Sequence, residues 1–170
     1  MVYQGIDSLS EEEQIEKVKN SEKNNAILYI DNPSEKVKLA AVKHNGDAIK
    51  YISNPSDELK MEAVKENGYS IVFINNPSEE LKIEAVKQNG MVICYIKNPS
   101  ADVQYYALKQ EKNSLSFIPK ENQSSSAIER IIKECDYFDG YFLNNIYALI
   151  SDESMELLKL KLRMRGYDVC

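Results

Sequence analysis

The sequence has a single histidine, His44, and only three cysteines, Cys94, Cys135 and Cys170, in 170 residues. A lone histidine leaves a metal site or a Ser-His-Asp arrangement no second imidazole to use, and His44 reads as an exposed helix-end residue. The cysteines are far apart and form no CxxC pair, which points to a reduced, cytoplasmic setting and away from a disulfide framework or a zinc site. No GxxxxGK[ST] or GxGxxG occurs, so no phosphate-cradling loop is expected. The amino-terminal run MVYQGIDSLSEEE has no basic start followed by an apolar stretch, so no secretory signal is expected. No apolar run approaches the length that spans a bilayer, and no membrane partner is expected. Positive charge is also in short supply: the formal net charge is −6. Affinity for a phosphate backbone comes from Lys and Arg displacing counterions, so nucleic acid is not the expected partner. A basic protein surface suits this charge better, as does plain solubility.

Proline and glycine are scarce as well, and their placement carries the fold. Residues 32 to 97 read NPSEKVKLAAVKHNGDAIKYIS, NPSDELKMEAVKENGYSIVFIN, NPSEELKIEAVKQNGMVICYIK, one 22-residue sentence written three times without a gap, with a looser copy from Asn98. Four of the five prolines fall at position 2 of this sentence, and four of the six glycines at position 15 once Gly166 is counted. Repeats of this length indicate stacked supersecondary units. Position 1 (Asn32, Asn54, Asn76, Asn98) is expected to cap a helix A, with proline at its first turn and an acidic residue at position 4 complementing the helix dipole. Positions 6, 10 and 11 are apolar throughout, for example Leu59, Ala63 and Val64, and position 8 adds Leu39, Met61 and Ile83. Charged residues cluster on the other side of a 3.6-residue wheel. Gly46, Gly68 and Gly90 are expected to end helix A with positive φ.

Positions 16 to 22 leave room for a two-turn helix B. A strand is the rival reading for SIVFIN and MVICYI, which are rich in β-branched residues. The spacing in DAIKYIS favours a helix.

Ser10 to Asp31 fits the same template with its signature eroded, as an end cap would. Ser10 and Glu13 form a capping box, with Ile15 at position 6. Residues 98 to 119 make a fourth copy with Lys112 in the glycine's place. Lys120 to Ser126 reads as a loop and Ala127 to Cys135 as another helix A. The aromatic stretch 136 to 151 is expected to be a longer helix B with an inserted turn. Asp152 to Val169 returns to the template, with Leu157, Leu162 and Gly166 at positions 6, 11 and 15 and Lys161 making a polar end. The expected architecture is therefore a single all-α domain, a right-handed α-solenoid of two-helix 22-residue repeats with atypical capping units: 10–31, then 32–119, then 120–170.

The pattern N-P-S-x-x-[VL]-K-x-x-A-V-K-x-N-G resembles short α-solenoid repeats of the HEAT-like and leucine-rich-repeat-variant kind. It is similar to tandem repeats of bacterial and phage proteins built on the same NPSEE…AVKQNG sentence. The resemblance spans roughly Ser10 to Pro119. It implies protein binding, with antagonism of host machinery as the role that small phage proteins of this kind sometimes have, and it implies no catalytic residues and no cofactor.

Within this frame the informative positions are those that vary. Positions 16 and 19 read Asp47 and Lys50, Tyr69 and Val72, Met91 and Cys94, and these are taken as a protein-interaction face. Packing against the aromatic stretch is the plainer alternative. Glu58, Glu62, Glu80 and Glu84 form rows along helix A, a solvated face or an acidic stripe for a basic partner. Lys38, Lys60 and Lys82 at position 7, and Lys43, Lys65, Lys87 and Lys109 at position 12, form columns about 10 Å apart. Their stems are expected to be buried with the ammonium groups reaching carbonyls or asparagines of the next repeat. A nucleic-acid stripe is the alternative. Aromatic residues at position 20 (Tyr29, Tyr51, Phe73, Tyr95, Phe117) are expected in the core between repeats. The sequence thus favours a non-enzymatic protein-binding scaffold, of the type that inhibits a bacterial host protein. Two alternatives stand beside it, a nucleic-acid-binding solenoid and an enzyme with its site in residues 136 to 151, which would need a pocket with a perturbed carboxylate or the adjacent Cys135. Self-pairing of the apolar face into a homodimer is also open.

Overall fold

The computed structural model describes residues 5–21, 26–135, 138, 140–146 and 149–166. These residues are all-α, with no strand among them. They fall into two compact units, Met1–Gln88 and Asn89–Cys170.

The first unit alternates α-helices with short 3-10 helices (η). Its elements are η1 (Ile6–Ser8), α1 (Glu11–Lys19), η2 (Ala26–Tyr29), α2 (Glu35–His44), η3 (Gly46–Tyr51), α3 (Asp57–Glu66), η4 (Gly68–Phe73) and α4 (Glu79–Gln88). Each α-helix packs on the next, and η3 packs on η4. Val37, Val42, Leu59, Ala63, Val64, Leu81, Ala85 and Val86, at positions 6, 10 and 11, are buried.

The cap is set two residues later than the sequence suggests. Ser34, Ser56 and Ser100, at position 3, are the N-caps, each with extended backbone and a hydroxyl accepting the amide three residues on. The preceding asparagines at 54, 76 and 98 instead adopt φ 48°, left-handed geometry that asparagine tolerates better than most residues. Asn-Pro is thus the turn that re-aims the chain, and proline sits before the helix rather than in its first turn.

Glycine at position 15 also has a different reason. Gly46, Gly68 and Gly90 do not have positive φ. Each opens a 3-10 helix pressed against the following α-helix. A Cβ on Gly46 would lie 2.3 Å from the Ala63 carbonyl oxygen, and one on Gly68 would lie 2.7 Å from that of Ala85. Close approach, not backbone handedness, selects glycine here. Gly166, at φ 83°, does end its helix in the left-handed way.

Helix B is a 3-10 helix of six residues rather than an α-helix. The Asn45 and Asn67 side chains seed it by accepting the amides of Asp47 and Tyr69. Three residues per turn align positions 18 and 21, which explains the burial of Ile49 with Ile52 and of Ile71 with Ile74.

At the amino-terminal end the capping box of Ser10 and Glu13 forms in full. Because the N-cap belongs at position 3, Ser10 takes that position. The α1 residues then shift by two places: Ile15 leaves the expected position 6 and is only half-buried, and Val18 fills the buried position 11. Ala26, Ile27 and Ile30 are buried as the template expects.

The second unit continues with η5 (Gly90–Tyr95), α5 (Ala101–Gln110), η6 (Lys112–Phe117), η7 (Lys120–Asn122), α6 (Ser125–Glu134), α7 (Gly140–Ile146) and α8 (Asp152–Arg163). Its core joins Leu108, Leu115, Ile128, Ile131 and Ile132 to Phe138, Phe142, Ile146, Leu158 and Leu162. The aromatic stretch therefore supplies core, with Phe138 stacked on Phe142 at 5.6 Å, although residues 136, 137, 139, 147 and 148 lie outside the described set. In α8 the N-cap is Ser151 and the buried face is Ser154, Leu158 and Leu162. Leu157 at the template's position 6 is only half-buried. Lys161 turns inward enough to donate to the carbonyls of Lys133 and Cys135, both at 2.9 Å, closing the end of α6.

Two further ties hold the second unit. Buried Gln104, at the position of the repeated lysine, donates to the Pro99 and Asn122 carbonyls and accepts the Ser124 amide. Buried Tyr105 donates its hydroxyl to Glu134, and Lys109 lies 3.0 Å from both. The Arg130 guanidinium covers the Tyr105 ring at 3.8 Å and pairs with Asp102.

Candidate interaction surfaces

The ten residues singled out by sequence do not form one patch. In the first unit, Tyr69 and Val72 stand exposed on η4 beside Phe73, which is 42% exposed. Leu28 and Tyr29 on η2 are exposed too, and Tyr51 on η3 is half-buried. These side chains crown the 3-10 helices whose other edges fill the core. The aromatic residues at position 20 were expected inside; three residues per turn instead carry them off the buried edge, and in the second unit Tyr95 is 58% and Phe117 43% exposed. Their placement is the feature that sequence spacing at 3.6 residues per turn misses.

Lys50 is part of this ridge. Its ammonium lies 4.9 Å from the Tyr51 ring centre and 5.3 Å from that of Phe73, within cation–π range of both. A cleft of ≈ 300 Å³ opens next to the ridge, lined by Ile27, Leu28, Ile30, Pro33, Lys38 and Tyr51 among others. Asp47 belongs to the frame instead. Its Oδ1 accepts the Asn67 side-chain amide at 2.9 Å and the Ser70 hydroxyl at 3.0 Å, across the boundary between copies. In the second unit Cys94 is exposed and Met91 half-buried, both on η5.

The glutamates lie on the α-helices, on faces turned away from the buried positions 6, 10 and 11. Glu58 and Glu80 are exposed. Glu62 is half-buried and pairs with Lys43 at 3.6 Å and Lys65 at 3.3 Å, while Glu84 accepts the Gln88 side chain. The position 7 lysines have half-buried side chains as expected, but their partners are local. Lys38 pairs with Glu35 at 2.7 Å, Lys60 with Asp57 at 2.8 Å and Lys82 with Glu79 at 3.7 Å. The dipole-complementing acid at position 4 is thus also the lysine's counter-ion one turn on, which offsets the charge a phosphate stripe would need. His44 is exposed at the end of α2, as the sequence suggests.

One pair of electrostatic shifts in the first unit lies where α1 meets α2. The Ser34 hydroxyl, and then Lys36, hold the Glu11 carboxyl below its ordinary value. Glu11 reciprocally raises Lys36.

No family model, no curated protein and no solved structure matches the chain. No helix among the described residues is long and apolar enough to cross a membrane.

Proposed function

We propose that the chain is a non-enzymatic, right-handed α-solenoid that binds another protein through the ridge of its first unit, Leu28, Tyr29, Tyr51, Tyr69, Val72 and Phe73. One observation carries the reading: large apolar and aromatic side chains recur outward on successive 3-10 helices while the same helices bury Ile27, Ile49 and Ile71. Aromatic side chains that stand out of a rigid frame, next to a cleft, are the usual anchors of protein interfaces. Short 3-10 segments between capped α-helices hold those anchors without a mobile loop, which lowers the ordering cost of binding. The partner class that the repeat resemblance implies is a bacterial host protein whose action the chain blocks.

The test is capture from bacterial lysate with identification by mass spectrometry, run in parallel with Tyr69→Asp/Phe73→Asp. Both positions are exposed, so the variant is expected to keep the wild-type circular dichroism. A protein retained by the wild type, lost by the variant and then bound by the purified chain with a defined Kd supports the reading. A captured protein held equally by both, or none at all, removes it.

A further inference from the structure

One side chain interrupts the apolar run along the ridge of the first unit. Successive copies present a pair of residues at positions 19 and 20: Leu28 and Tyr29 on η2, Lys50 and Tyr51 on η3, Val72 and Phe73 on η4. The outer two pairs are apolar and exposed. The middle pair carries an exposed charge, and that charge has no counter-ion of its own. Lys38, Lys60 and Lys82 each pair with the acid three residues before them. Lys50 also has an acid three residues before it, Asp47, but the Asn67 side-chain amide and the Ser70 hydroxyl hold that carboxylate at the junction with the next copy. No ion pair among the described residues includes Lys50. Its ammonium lies over two rings instead, 4.9 Å from the centre of Tyr51 and 5.3 Å from that of Phe73. Rings steady a cation without cancelling its charge. An ammonium steadied among apolar side chains suits a carboxylate that binding would shield from water.

Building on the ridge reading, which it presupposes, we propose that the partner presents an extended peptide segment with one Asp or Glu set on Lys50. Apolar side chains of the segment lie on Leu28 and Tyr29 to one side and on Val72 and Phe73 to the other. Copies stacked about 10 Å apart match three residues of extended chain at about 3.3 Å each. The segment therefore reads apolar-x-x-Asp/Glu-x-x-apolar. The net charge of −6 works against acidic peptides in general, so a preference for a central acid reports the local cation and not the bulk charge.

The experiment selects binders to the full chain from a displayed library of random short peptides. Enriched peptides are expected to carry the spaced motif and to lose binding to Tyr69→Asp/Phe73→Asp. The same selection on Lys50→Glu is expected to return Lys or Arg in the central place, an inversion that mere loss of structure would not produce. In a synthetic copy of one binder, replacing the central acid by its amide is expected to weaken binding to the wild type about five-fold or more. That difference should shrink as salt rises and vanish on Lys50→Met. Ridge-dependent binders without a central acid, or the same central acid selected on Lys50→Glu, overturn the acidic-segment proposal and leave the ridge reading in place. An empty selection, or binders indifferent to Tyr69→Asp/Phe73→Asp, also overturns it, and the lysate capture then decides the ridge reading by itself.

Discussion

Asp47 accepts the hydroxyl of Ser70 at 3.0 Å, tying position 16 of one copy to position 17 of the next. The second unit has the same pair of positions, occupied by Met91 and Ser114. Methionine offers no comparable acceptor, and the Ser114 hydroxyl is buried with no hydrogen-bond partner among the described residues. Met in place of Asp at this frame position thus leaves an unsatisfied polar group in the next copy.

Replacing Ser114 by alanine should therefore stabilise the protein by about 1 kcal/mol, because a buried hydroxyl without a partner carries its desolvation cost uncompensated. Ser70→Ala should do the reverse, lowering stability by roughly 1 kcal/mol through loss of the Asp47 bond. Urea unfolding of both variants gives the comparison; the same sign for both would contradict it.

Gly46→Ala should destabilise the first unit by about 2 kcal/mol or more, since the new methyl must displace the Ala63 carbonyl, which sits only 2.3 Å from its ideal position. Lys112 occupies the corresponding position in the fourth copy, so Lys112→Ala should change the denaturation midpoint little.

Asn76 holds φ 48° at the turn into α4. A valine there should cost about 1–2 kcal/mol, the ordinary expense of left-handed backbone for a residue with a Cβ that cannot hydrogen-bond locally. Glycine should be nearly neutral. Thermal melts of Asn76→Val and Asn76→Gly separate this conformational reading from a lost side-chain contact, which would make both variants unstable.

The Tyr105 hydroxyl, followed by Lys109, holds the Glu134 carboxyl below its ordinary value. A carboxylate depressed in the folded state adds stability that is present above its unfolded value, about pH 4.3, and is lost as pH falls through the lower folded value. Glu134→Gln should therefore flatten the fall of the urea midpoint below about pH 4.3 and leave its pH dependence near neutrality unchanged. An unaltered acid limb would show that the Tyr105–Glu134 contact does not form in solution.

How far the sequence could be read turns on which features depend on spacing alone. The copy length, the buried positions 6, 10 and 11 and the Ser10–Glu13 capping box are all functions of spacing, and the structure has them. The choice of N-cap is not. Asn-Pro-Ser holds two residues able to cap, and the structure shows that serine does it: the hydroxyls accept the first-turn amides, and Asn54, Asn76 and Asn98 take left-handed φ. The 3-10 geometry of helix B was hidden for a similar reason, because six residues with β-branched side chains fit several periods. That single difference, three residues per turn against 3.6, decides whether Phe73 and Tyr95 face inward or outward. The exposed ridge is therefore only half legible: spacing points to Tyr69 and Val72, while it places the aromatic residues next to them in the core. The bonds of Asp47 are not legible in spacing because its partners, Asn67 and Ser70, lie in the following copy.

The asparagine at each helix end has a chemical consequence as well. Asn45-Gly46, Asn67-Gly68 and Asn89-Gly90 are the dipeptide most prone to spontaneous deamidation, in which the glycine nitrogen attacks the asparagine side chain. Here each of those side chains is held by the amide two residues on, and each glycine is buried under a neighbouring helix. Incubation of folded and urea-unfolded protein, followed by peptide mass spectrometry, should find the three sites intact in the first and converted in the second; equal conversion would deny the protection. The same geometry that stacks the copies then also sets their shelf life, and a molecule that has spent time unfolded would carry a permanent chemical record of it.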